Sequence, residues 1–132
     1  MKTRARRRVV IIDDDPAMGN LLKTTLENQG FQTRTFSNAA EGALEIWNTH
    51  PDLDLVTLDL GMPGVSGEEC LKALRKTPEL KNIPVIIVSA INTAEEVKKI
   101  LRLAPDGYII KIPNSQKDFR TLLLEEIKKV LD

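Results

Sequence analysis

Short unbroken apolar runs alternate along this chain with stretches whose apolar residues recur at helical spacing, and that alternation leaves few folds open. Residues 9–12 (Val-Val-Ile-Ile) run straight into Asp13-Asp14-Asp15. Residues 53–58 end on Asp59, residues 84–89 end on Ser89, and residues 108–110 end on Lys111. Residues 31–36 are β-rich but partly polar, as an edge strand is. Runs with no polar alternation fit a parallel sheet buried on both faces. Between them lie five helical patterns, over about 16–29, 38–48, 66–76, 93–103 and from Phe119 to the end. Asp15 before Pro16 reads as an N-cap with proline at the first helical position, Gly30 as a helix stop, and Asn38 with Glu41 as a capping box. Five β–α units joined by right-handed crossovers give a three-layer α/β/α sandwich.

At 132 residues the chain is one domain's worth, long enough to bury a core without staples. Its 42% hydrophobic and 29% charged residues are ordinary for a soluble globular protein. Cations and acids number 19 each, but Lys2, Arg4, Arg6, Arg7 and Arg8 fall among the first eight residues. The remaining 14 cations against 19 acids leave the rest at −5. Residues 1–8 read as a basic, solvated tail and 9–132 as the domain. Such a tail gives little ground for nucleic-acid or membrane binding. The four apolar residues after it are too few for a signal peptide, and no run approaches a membrane span. A single cysteine, Cys70, forbids an internal disulfide and fits the cytoplasm.

In open parallel sheets ligands bind at the carboxyl ends of the strands. Here those ends carry Asp13, Asp14, Asp59, Ser89 and Lys111. Two carboxylates ~4 Å apart repel by roughly 4 kcal/mol at an effective dielectric of ~20, so the cluster wants a counter-charge. Hard oxygen ligands in small number suit Mg²⁺. Lys111 suits a phosphoryl oxygen, and a buried Ser89 hydroxyl needs a partner. Acids, a metal, a lysine and a hydroxyl point to phosphoryl transfer, with a carboxylate able to act as nucleophile.

The motifs Ile12-Asp13-Asp14, Asp59-Leu60-Gly61-Met62-Pro63 with Gly67, Ser89-Ala90 and Tyr108-Ile109-Ile110-Lys111 resemble the receiver domain of two-component response regulators over about residues 9–131. The resemblance implies a flavodoxin-like sheet in the order 2-1-3-4-5. It implies that Asp59 accepts a phosphoryl group from a sensor histidine kinase or histidine phosphotransfer protein. It implies Mg²⁺ held by Asp14, Asp59 and the Gly61 carbonyl, with Asp13 acting through water. Ser89, Ala90 and Lys111 would meet the phosphoryl oxygens, and Tyr108 would swing inward with Ser89. The fourth and fifth helices with the fifth strand would then present an altered face to a downstream effector or an output domain. Such a domain assists its own phosphorylation and dephosphorylation and turns over no external substrate. The chain closes one helix after the fifth strand, which leaves open a stand-alone regulator or part of a longer protein.

Two positions depart from the family pattern. Ile112 separates Lys111 from Pro113, where the family has proline directly after the lysine. Gly61 offers no side chain to shield a phosphoryl group on Asp59. Competing readings are weaker: a haloacid-dehalogenase-type phosphatase needs an acid where Gly61 stands, a dinucleotide binder needs Gly-x-Gly-x-x-Gly after the first strand, and a pseudo-receiver typically lacks an acid or the lysine. His50, Cys70 and Trp47 read as structural residues.

Overall fold

The computed structural model describes residues 6–62, 64, 66–111 and 116–132, the side chains of 116 and 117 excepted. Five strands, β1 (Arg8–Ile12), β2 (Gln32–Phe36), β3 (Leu55–Leu58), β4 (Val85–Ser89) and β5 (Gly107–Ile110), alternate with five helices. These are α1 (Pro16–Glu27), α2 (Ala39–Thr49), α3 (Gly67–Lys76), α4 (Ala94–Leu101) and α5 (Gln116–Leu131). The strands form one parallel sheet in the order β2-β1-β3-β4-β5, as the resemblance implies. Strand order reverses beside β1, so a crevice opens at the carboxyl ends of β1 and β3.

The two-residue period of the strands sorts the core into two layers. Val9, Ile11, Leu55, Ile86, Val88 and Ile109 point to one side, where they pack with Leu22 and Leu26 of α1 and with Phe119, Leu123 and Ile127 of α5. Val10, Ile12, Val56, Leu58, Val85 and Ile87 point to the other, against Ile46 of α2, Leu71 and Leu74 of α3 and Ile100 of α4. Each buried Leu, Ile or Phe contributes roughly 1.5–3 kcal/mol.

Local chemistry starts each helix where the sequence places it. Asp15, Asn38, Ser66 and Thr93 cap α1 to α4, each side-chain oxygen accepting a backbone N–H at 2.8–3.4 Å. Such a cap is worth ~1 kcal/mol. Gly30 takes a φ of +91° after α1, as a helix stop requires. Gly42 lets α2 lie close on β1, because a Cβ there would run into Ile12.

At the opposite edge, Arg75 staples α3 to the start of β4 and to the segment before β5. Its guanidinium donates to the carbonyls of Ala104 (3.0 Å), Lys81 (3.1 Å) and Ile83 (2.9 Å) and to Asp106 Oδ2 (2.8 Å). The same carboxylate oxygen accepts the Val85 N–H at 2.8 Å.

Some expectations need correction. β3 is shorter than residues 53–58, because Pro51 sits in a 3₁₀ turn (His50–Asp52) that delays the strand. α4 stops at Leu101, where turn bonds from Leu103 and Ala104 to the carbonyls of Ile100 and Leu101 close it. Trp47 is not a core residue: 46% of it is exposed, because α2 buries the stripe Ala39, Gly42, Ile46 and Trp47 lies beside it. Its ring meets that of His50 at 5.2 Å. Cys70 is buried, as expected. Lys2 and Arg4 of the basic tail, Pro63, and the Ile112-Pro113 segment lie outside the described residues.

Candidate functional site

The strand period decides what meets at the crevice. Continuing Val9-Ile11 by two residues brings Asp13 to the α1/α5 side. Leu55-Thr57 leads likewise to Asp59, and Ile109 to Lys111. Ser89 continues Val85-Ile87 on the other side, where Tyr108 also packs. Backbone bonds fix the heights: Asp59 N–H donates to the Ile12 carbonyl at 3.0 Å and Lys111 N–H to the Ser89 carbonyl at 2.8 Å.

Asp13 and Asp59 are buried, at 3% and 6% exposure, while Asp14 is exposed at the rim. One carboxylate oxygen from each of the three lies within 4.8 Å of the others. Lys111 Nζ bridges the two buried acids, 3.0 Å from Asp13 Oδ2, 3.3 Å from Asp13 Oδ1 and 3.5 Å from Asp59 Oδ2. Asp13 Oδ1 also accepts the Asp15 N–H at 2.9 Å, and Asp59 Oδ1 accepts the Gly61 N–H at 3.3 Å. Burial pushes the Asp13 carboxyl above its ordinary range. The Asp15 N–H and Lys111 pull against that, and the Asp59 charge adds to it. Burial works to lower the Lys111 pKa, but the Asp13 hydrogen bond and the charges of Asp13 and Asp59 outweigh it. The ammonium is therefore held above its usual value and stays charged.

This donor set suits a small hard cation. It is all oxygen, it carries more negative charge than one lysine offsets, and Asp13 Oδ2 has no hydrogen-bond donor although it is buried. Lys111 lies near that oxygen without hydrogen-bond alignment. Mg²⁺ typically takes one or two carboxylates plus substrate oxygens and water.

Across the crevice, Ser89 is 1% exposed and its Oγ accepts the Ile91 N–H at 3.1 Å. The hydroxyl proton is thereby left to donate elsewhere. Tyr108 is half-buried, and its OH donates to the Ile91 carbonyl at 2.9 Å. Ser89 and Tyr108 thus hold both polar groups of one residue at the start of the β4–α4 loop. Burial raises the Tyr108 pKa, a Ser89 hydrogen bond opposes that, and the charges of Glu96 and Asp59 add to the rise. Ala90, next to Ser89, is exposed. Ile91 had no signal in the sequence, since it acts through its backbone. Gly67 does more than fill a motif: a Cβ there would collide with the Asp59 carbonyl oxygen, so the first turn of α3 presses on the backbone of Asp59.

Tyr108 also opens onto an apolar groove of about 430 Å³ with Val97, Leu101, Ile109, Ile110, Leu122 and Glu126. Leu101, Ile110 and Leu122 are 38–50% exposed there. No helix among the described residues is long and apolar enough to cross a membrane.

Known proteins share the sequence pattern and the fold. The family model of the response regulator receiver domain matches residues 9–123. The chain is 37% identical over 122 residues to the transcriptional regulatory protein MalR of Bacillus subtilis, covering 92% of this chain and 50% of that protein. It is 26% identical over 125 residues to the chemotaxis protein CheY of Pseudomonas aeruginosa, covering 95% and 96%. The chain thus spans about half the length of the transcriptional regulator and nearly all of the chemotaxis protein. Among solved structures it resembles the CheX–CheY–BeF3–Mg complex of Borrelia burgdorferi, with a TM-score of 0.84, 28% identity and coverage of 96% and 90%. It shares the fold of the phosphorylated cyanobacterial phytochrome response regulator RcpA, with a TM-score of 0.85, 23% identity and coverage of 97% and 96%. The chain belongs to the response regulator receiver domain family of two-component signalling.

Proposed function

We propose that this chain is a phosphorylation-dependent switch in which Asp59 takes a phosphoryl group from the phosphohistidine of a sensor kinase or phosphotransfer protein. The observation that carries this reading is Lys111 Nζ bridging the buried carboxylates of Asp13 and Asp59 at a strand-end crevice. An Asp59 oxygen attacks phosphorus, the P–N bond to imidazole breaks, and the imidazole nitrogen takes up a proton as it leaves. Asp13, Asp14, Asp59 and the Gly61 carbonyl would hold Mg²⁺. When bound, the ion neutralises charge on the phosphoryl oxygens. Lys111 supplies a fixed positive charge beside the acceptor. Ser89 donates its hydroxyl proton to a phosphoryl oxygen, and the Ala90 backbone lies beside it. The Borrelia complex pairs a CheY with BeF3 and Mg, which supports Mg²⁺ as the cation of this chain.

Ser89 and Tyr108 share the Ile91 backbone, so a pull on Ser89 reaches Tyr108 and the groove between α4, β5 and α5. That groove is the face an effector protein, or an output domain of a longer protein, would read. The domain turns over no external substrate, makes no direct contact with nucleic acid or membrane, and works in the cytoplasm. The test is intact mass after incubation with acetyl phosphate and Mg²⁺. The chain should gain one phosphoryl group and Asp59→Asn none. No gain beside a competent receiver would leave a binding module that does not depend on phosphate.

A further inference from the structure

Asp13 Oδ2 shares its lack of a hydrogen-bond partner with one other oxygen on the α1/α5 side of the sheet, Thr57 Oγ1. Thr57 is fully buried in β3, two residues before Asp59. Register pairs Thr57 with Ile11, so Asp13 stands one diagonal step away on the same side. Two residues of rise and one strand spacing put their Cα atoms about 8 Å apart. A diagonal of that length is within the reach of one bridging water, which links two side-chain oxygens by two hydrogen bonds of about 2.8 Å. A buried hydroxyl without a partner costs roughly 1–3 kcal/mol, and valine would fill the same volume without that cost. The in-register neighbours of Thr57 are Ile11 and Ile86, whose side chains offer it no acceptor.

We infer that Thr57 is a positioning residue for the acid site. Its hydroxyl donates to a buried water, and that water donates to Asp13 Oδ2. The second water proton is left for Asp59, two residues above Thr57 on the same side. The bridge fixes the rotation of the Asp13 carboxylate while the remaining lone pairs stay directed at the cation. Groups that orient metal ligands from behind commonly change metal affinity 10–100-fold when removed. The inference rests on the reading of Asp13 as part of a cation site.

Thr57→Val keeps the volume and removes the hydroxyl; Thr57→Ser keeps the hydroxyl and removes the methyl. Titration calorimetry with Mg²⁺ alone and thermal melting in EDTA read the two variants. Thr57→Val should weaken Mg²⁺ binding about tenfold and should not raise the melting temperature. Thr57→Ser should melt lower yet bind Mg²⁺ within about twofold of the wild type, since the water bridge survives. A Thr57→Val protein that melts higher, or that binds Mg²⁺ as the wild type does, overturns the inference. A wild-type protein that binds no Mg²⁺ instead ends the cation reading, and the melting comparison in EDTA still decides the role of Thr57.

Discussion

Asp13→Asn should make the metal-free protein more stable, although Asp13 is one half of a buried ion pair. Lys111 Nζ at 3.0 Å from Asp13 is worth ~5.5 kcal/mol at an effective dielectric of ~20. Asp59 and Asp14 oppose it, each with an oxygen within 4.8 Å of one on Asp13 and each worth ~3.5 kcal/mol at that limit. Halving the exposed Asp14 contribution for solvent screening, repulsion nearly cancels attraction. The burial cost of the carboxylate, several kcal/mol, is then only partly offset by the Asp15 N–H bond. Lys111 keeps Asp59 as a partner at 3.5 Å in the variant, so no cation is stranded. A gain of about 1–2 kcal/mol follows, or about 3–8 °C in melting temperature for a domain this size.

The sign of the pH dependence follows from the raised Asp13 pKa. Between the ordinary carboxylate value of 3.8 and the higher folded value, the native state holds a proton that the unfolded chain has lost. Stability from this group therefore falls as pH rises through that interval. The advantage of Asp13→Asn should be full above the raised folded pKa and fade as the pH falls towards about 4. Melts followed by circular dichroism in EDTA check this. Adding Mg²⁺ should reverse the order, since saturation to 100 times its Kd stabilises the wild type by about 2.7 kcal/mol. A drop in EDTA of the ~3–5 kcal/mol expected for breaking a buried ion pair would refute the ordering of terms.

Three further outcomes are expected. Gly67→Ala should cost at least ~2 kcal/mol in denaturant melts and lower the phosphorylation rate, because its methyl has to displace the Asp59 carbonyl. Arg75→Ala should cost about 2–4 kcal/mol in the same melts yet leave the yield of acyl phosphate on Asp59 unchanged in the folded fraction. Gly61→Glu meets no atom at its Cβ and keeps the N–H bond to Asp59. It should slow loss of the acyl phosphate several-fold by screening it from water, and an unchanged decay rate would sink that idea.

The sheet and the crevice were legible because burial on both faces writes itself into unbroken apolar runs, and because strand period carries a side chain's direction past the strand end. Val9-Ile11-Asp13 and Leu55-Thr57-Asp59 announce their common side without any structure. Tyr108 was legible as a candidate switch residue, but its anchor was not: the Ile91 carbonyl is a backbone acceptor that any residue supplies. Trp47 misled because it falls within a helical apolar pattern, while its helix buries the neighbouring stripe of Ala39, Gly42 and Ile46. The Arg75 staple stayed hidden since three of its four acceptors are carbonyls brought together only by the fold.

The contact between Gly67 and Asp59 has a mechanical consequence. The acceptor's main chain is backed by a rigid helix on one side, with hard-core repulsion as its stop. The far wall of the crevice is tied through the Ile91 backbone by two hydrogen bonds, one from Tyr108 and one to Ser89. Force generated at Asp59 meets an anvil at α3 and a spring at α4. Displacement should concentrate in the softer arm, and so the signal has a direction built in before any partner arrives.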